Sequence, residues 1–161
     1  VRKGETVAGI IYDPMGDDFV MAEKGGGAWQ TGDHRPAVRL KARGAAPLEA
    51  MTGMASTSFL DRERRARILG NLAKVAFVSN YRCAAHESRL IAAGHCDFAV
   101  YAKLMPWDHA PGWLLHREAG GYSARFDGSD YLPTHHSGGL ICAPDEASWH
   151  AIRDALFHDG R

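Results

Sequence analysis

The chain has 161 residues, 45% of them apolar and 24% charged, the make-up of one ordinary globular domain. Lysine plus arginine and aspartate plus glutamate stand at 19 each, so the net charge is zero. That balance argues against nucleic acid or an anionic membrane surface as a partner. No apolar run reaches the roughly 18 residues of a membrane span.

Read in chain order, Val1-Arg2-Lys3-Gly4-Glu5 looks like the end of one strand turning into the next. An unpaired strand edge is an uncommon place for a mature chain to begin. Either the ends are trimmed or a large N-terminal part is missing. Residues 6–12 and 19–22 are β-rich around the turn residues Asp13-Pro14-Met15-Gly16-Asp17, which predicts a hairpin. Gly25-Gly26-Gly27 reads as a turn of close backbone approach. A turn at Thr31-Gly32-Asp33 and a short strand near residues 37–40 follow. The first 43 residues are therefore expected as the end of an antiparallel layer.

Strand and helix alternate from residue 49 onward. Strands are expected over 49–55, 75–79, 97–101, 122–125 and 140–143. The helices are a basic one ending near Ala73, one over 84–93, one over 109–119, and a last one after Pro144-Asp145. Ser58 and Asp61 read as a capping box for the basic helix, with Ile68, Leu69 and Leu72 on one face. Trp149, Ile152 and Leu156 share a face of the last helix. Residues 44–161 thus form an α/β layer, a mixed sheet flanked by helices. Ligands in such layers sit at the carboxyl ends of strands. That points to residues 80–84 and 102–108.

The densest run of chemistry is Trp107-Asp108-His109-Ala110-Pro111-Gly112, leading through a helix to Glu118-Ala119-Gly120-Gly121. An aspartate at a helix start can simply cap it. Its free oxygen can instead take a hard cation such as Mg²⁺. Glu87 reads as a structural partner of Arg89 or His86. The three cysteines, Cys83, Cys96 and Cys142, include no C-x-x-C pair, which fits reduced thiols in a cytoplasmic protein. His135-His136 reads as a solvent-facing loop pair, not a zinc site.

The run from Trp107 to Gly121 resembles the second signature of the inositol monophosphatase family, in which W-D-x-A precedes a helix and E-A-G-G. Pro111 and His116 depart from it. The similarity extends to Tyr12-Asp13-Pro14, to residues 22–28, to Arg82-Cys83-Ala84-Ala85, and to Ala92-Ala93-Gly94-His95-Cys96-Asp97. It implies a layered α/β sugar-phosphatase fold of which residues 1–161 are a single C-terminal fragment. It implies Asp108 as a Mg²⁺ ligand, with Trp107 packed beside it and Gly120 and Gly121 supporting the site. The family mechanism is metal-assisted hydrolysis, in which the ions neutralise the ester and activate a water. His109 is not expected to act as general base.

The family's first signature, D-P-I-D-G-T, supplies further metal ligands, and Asp13-Pro14-Met15-Gly16 is not a copy of it. The fragment alone is therefore expected to be inactive or nearly so. At the position aligned to Tyr101, inositol-specific members carry an acid that contacts sugar hydroxyls. Arg82 and Lys103 face the expected site, and the amides of Cys83 and Ala84 point outward from a helix start. These substrate-binding residues suggest a small phosphorylated metabolite more anionic than inositol monophosphate. The resemblance also implies a homodimer. The alternatives are a related phosphatase acting on a nucleotide or sugar bisphosphate or histidinol phosphate, and a non-catalytic module that keeps the fold.

Overall fold

The structure is a computed structural model that describes residues 1–32 and 35–157. The expected turn at Thr31-Gly32-Asp33 therefore has its last residue outside the described residues.

Arg2 and Glu5 exchange two backbone hydrogen bonds across Lys3 and Gly4, both with positive φ. This tight turn leads into an antiparallel sheet in the order β1 (Ala8–Asp13), β2 (Asp18–Glu23), β3 (Gly27–Gly32), β4 (Arg35–Arg39). Alternation sorts its faces. Ile11, Val20, Ala22 and Ala28 are buried, whereas Ile10 and Tyr12 are exposed at 64% and 56%.

The second sheet runs β6 (Phe77–Ser79), β5 (Thr52–Ser56), β7 (Phe98–Tyr101), β9 (Leu140–Ala143), β8 (Tyr122–Ala124). Strand β5 is parallel to both β6 and β7, while β9 is antiparallel to β7 and β8. The sheet is mixed, and its parallel trio sends three carboxyl ends to one side.

Helices α2 (Ala84–Ala92) and α3 (Pro106–Glu118) lie between the two sheets. Ala92, Leu114 and Leu115 pack on the first sheet, and Ile91 and Ala110 on the second. Helices α1 (Arg62–Asn71) and α4 (Glu146–Phe157) cover the far face of the second sheet, where Ile68, Trp149, Ile152 and Leu156 meet Phe98 and Val100. Close approach needs glycine at two points. A Cβ on Gly112 would lie 2.0 Å from Ser88 Oγ, between α3 and α2. One on Gly9 would lie 2.8 Å from the Cα of Pro111, between β1 and α3. Pro111 is thus a packing residue in the helix interior.

Other local expectations are corrected by the same physics. The capping box at Ser58 does not form. Asp61 itself caps α1, accepting from the Arg64 amide at 2.9 Å. Leu69 is 50% exposed while Ile68 is buried, because adjacent helical positions point about 100° apart. Helix α3 begins at Pro106, whose missing N–H costs nothing at the first helical position. Asp108 therefore sits inside the first turn and does not cap the helix. No helix among the described residues is long and apolar enough to cross a membrane.

Candidate active site

A cleft of about 450 Å³ opens where β5, β6 and β7 end. Arg82, Cys83 and Ala84 wall it before and at the start of α2. Tyr101 and Lys103 follow β7, and Asp108 and His109 come from the first turn of α3. The six residues read from the sequence as metal- or substrate-facing are brought together here. Trp107, Gly120 and Gly121 are not among its walls. Trp107 is 73% exposed. Gly120 ends α3 with φ 93, and Gly121 leaves room for His116, whose Nε2 would lie 2.2 Å from an added Cβ. Both glycines shape the far end of the helix.

Each wall residue has a cause for its position. Arg82 is left-handed, φ 55, a conformation that costs an L-residue about 1–2 kcal/mol. Asn80 enforces it: its Oδ1 accepts from the Arg82 amide at 2.8 Å while its Nδ2 donates to Ala55 O at 3.0 Å. The buried Glu87 braces the same loop, accepting from the Tyr81 amide at 2.9 Å. It pairs with neither Arg89 nor His86, because Arg89 reaches Asp18 across the layer at 2.5 Å. Burial pushes the Glu87 carboxyl up, against the pull of the Tyr81 amide. Cys83 offers no side-chain cap to α2, so the first amides of that helix remain open to an anion.

Tyr101 forms the floor. It is buried, its ring meets His109 edge-on at 4.8 Å, and its hydroxyl lies among Glu87 and Ser88 without a hydrogen bond of ordinary length. Burial drives its pKa well above the usual phenol value. His109 is 7% exposed and held at Met105, with Nδ1 3.0 Å from Met105 O. Desolvation lowers its pKa, so the ring is neutral at neutral pH. Lys103 Nζ stands 4.8 Å from the Phe59 ring centroid at the rim.

The carboxylate of Asp108 is exposed, and no hydrogen bond or ion pair engages it among the described residues. It is free to bind a cation. However, no group of three or more histidine, cysteine, aspartate or glutamate side chains among the described residues could hold a metal ion. These residues by themselves do not make a Mg²⁺ site, since such ions need several oxygen ligands.

A model of the inositol monophosphatase family matches residues 1–158. The chain belongs to that family. It is 34% identical to an inositol-1-monophosphatase of Mesorhizobium japonicum, covering 96% of this chain and 57% of that protein. It is 30% identical to a fructose-1,6-bisphosphatase/inositol-1-monophosphatase of Thermotoga maritima, covering 81% and 48%. The crystal structure of extragenic suppressor protein suhB from Bartonella henselae superposes with a TM-score of 0.81 at 27% identity, covering 97% of this chain and 58% of that one. The chain thus spans about half the length of the curated relatives it matches.

Membership gives Glu118 of the family signature a concrete task here. Its two carboxylate oxygens accept from the amides of Gly25 and Gly27 at 2.8 and 2.9 Å. The acid thus locks the glycine turn between β2 and β3 onto α3, away from the cleft. The wall residues Ser56 and Glu87 are absent from the sequence reading of the site, and Asn80 entered it only as part of the 80–84 segment, with no role of its own. Ser56 ends β5, so the rule about carboxyl ends of strands would have found it. Asn80 and Glu87 act through loop contacts that no spacing announces.

Proposed function

We propose that this chain carries the substrate-facing half of a Mg²⁺-dependent phosphomonoesterase acting on inositol monophosphate or a related small sugar phosphate. One observation carries the reading: two cations, an uncapped helix start and one free carboxylate converge on a single cleft. Arg82, Lys103 and the first amides of α2 bind and orient the anion. Asp108 contributes one ligand to a magnesium site that further carboxylates must complete. Bound magnesium would supply charge neutralisation and an activated water. Tyr101 cannot accept from sugar hydroxyls twice as a carboxylate does. Together with Arg82 and Lys103, that favours a substrate with a second anionic group. The free thiols of Cys83, Cys96 and Cys142 support a reducing, cytoplasmic setting, and a homodimer is proposed by family resemblance.

Phosphate release from inositol monophosphate, sugar bisphosphates and nucleotide phosphates, with Mg²⁺ and with EDTA, tests the reading on the full gene product and on this chain. Mg²⁺-dependent release from the gene product, lost in Asp108→Asn, is expected. The isolated chain is expected to release little or none. No release from any ester by the gene product would favour the second reading, a non-catalytic module. That reading rests on the single free carboxylate in the cleft.

A further inference from the structure

The parallel strands β5 and β7 end side by side, with Ser56 opposite Tyr101. Phe59 follows in the turn after β5, and Lys103 in the loop after β7. Both residues line the cleft that holds Asp108. The backbone is anchored around each of them. In the 57–60 turn the Leu60 amide donates to Thr57 O at 3.1 Å. Thr57 is buried, and Leu60 packs on the core of the second sheet. In the facing loop the Ala102 amide donates to Ser56 O at 3.2 Å, and Leu104 is buried. The two anchored turns thus present one aromatic ring and one ammonium group at the cleft mouth.

Burial does not account for the ring, because Phe59 is 64% exposed. Its contact with Lys103 does. Lys103 Nζ lies 4.8 Å from the ring centroid, within the roughly 6 Å over which a ring face attracts a cation. Among the described residues that ammonium meets no carboxylate and no hydrogen-bond acceptor. The choice of partner has a chemical consequence. A carboxylate would also orient the lysine, but it would neutralise the charge and compete with an incoming anion. A ring face orients the ammonium through its quadrupole and leaves both the charge and N–H donors available. Lysine is among the side chains that lose most rotamer freedom when fixed. A contact made beforehand lowers the ordering that the anion must impose.

We propose that Phe59 is a positioning residue for anion binding: its ring holds the Lys103 ammonium at the cleft mouth with its charge free for the anionic group of the substrate. The inference rests on the reading of this cleft as the substrate site.

Inorganic phosphate titrated into the ¹⁵N-labelled protein in EDTA tests it, with binding read from the amide shifts of Cys83 and Ala84. Phe59→Leu removes the ring face and is expected to raise the midpoint about two- to fivefold. Its Tm should stay nearly unchanged, because the ring is largely in solvent. Phe59→Trp, which offers the strongest ring face, is expected to bind at least as tightly as the wild type. Lys103→Met is expected to weaken binding by itself, and Phe59→Leu to add nothing in that background. A ring that only shaped the turn would give neither the coupling to Lys103 nor the rescue by tryptophan. Three results would overturn the proposal and leave the reading of the cleft intact, provided that Lys103→Met and Arg82→Ala weaken binding: an unchanged midpoint in Phe59→Leu, the same loss from Phe59→Leu with and without Lys103, or an equal loss in Phe59→Trp. Undiminished binding in both Arg82→Ala and Lys103→Met would overturn the reading of the cleft and the proposal together.

Discussion

His116 is the residue whose protonation state weighs most on folding. It is fully buried, 0% exposed, in the last turn of α3. Its Nδ1 lies 2.7 Å from Ser123 Oγ. Its Nε2 has no partner and faces Gly121. Burial, with help from the neighbouring Arg117 charge, pushes its pKa down to about 3 from 6.5. A base whose folded pKa is depressed contributes stability that is whole above pH 6.5 and is lost as pH falls toward 3. At 1.36 kcal/mol per pKa unit the loss is about 2 kcal/mol by pH 5 and at most about 5 kcal/mol by pH 3. The perturbation is His116→Leu, which replaces the imidazole by an aliphatic side chain that cannot titrate. Urea unfolding of both proteins from pH 7.5 to pH 4 measures the difference, and other titrating groups cancel in it. The wild-type curve should fall below the variant's by about 2 kcal/mol more at pH 5 than at pH 7.5. Parallel curves would refute the reasoning, because they would mean that the buried imidazole finds a solvated, protonated state without unfolding.

Other consequences follow from single contacts. Arg82→Gly removes a left-handed penalty of about 1–2 kcal/mol, part of which the glycine returns as chain entropy. It should raise Tm by about 2–4 °C while weakening the binding of inorganic phosphate, read by calorimetry. A lower Tm would show that φ 55 at this position is not strained. Asp18→Asn leaves Arg89 charged in a site where its side chain is 14% exposed, and should cost about 3–5 kcal/mol in denaturant unfolding. Glu118→Ala strips the acceptor from the Gly25 and Gly27 amides. It should cost about 1–3 kcal/mol and speed hydrogen exchange at those amides, with the cleft around Asp108 unaffected.

The layered architecture was legible because alternation and helical spacing survive in this sequence. The hairpin around residues 13–17, the helix over 84–92 and the face of Trp149, Ile152 and Leu156 were each readable from periodicity and turn chemistry. The boundaries that slipped did so through proline and side-chain reach. Pro106 starts α3 three residues early, and Asp61 captures the cap expected of Ser58. The family signature singled out Asp108, whereas spacing alone favoured a plain cap. Contacts between elements distant in sequence were not legible. Glu118 meets Gly25 and Gly27 across more than ninety positions, and Arg89 meets Asp18 across 71.

Arg82 shows why the cleft itself was only half visible. The sequence offers an arginine near a helix start, which on spacing alone is as well explained by a solvated loop charge. What gives it direction is the left-handed backbone, set by Asn80 on one side and flanked by Glu87 on the other. Neither residue carries a motif, and a non-glycine residue in that conformation is uncommon enough to suggest a function for the strain. The same loop brings the arginine, the open amides of α2 and the buried carboxyl of Glu87 to one wall. Asp108 stands on another, supplied by α3. The cleft therefore depends on how α2 and α3 are clamped together at Gly112 and Ser88. A side chain at position 112 would push the two walls apart and disturb anion binding without touching a residue that binds the anion.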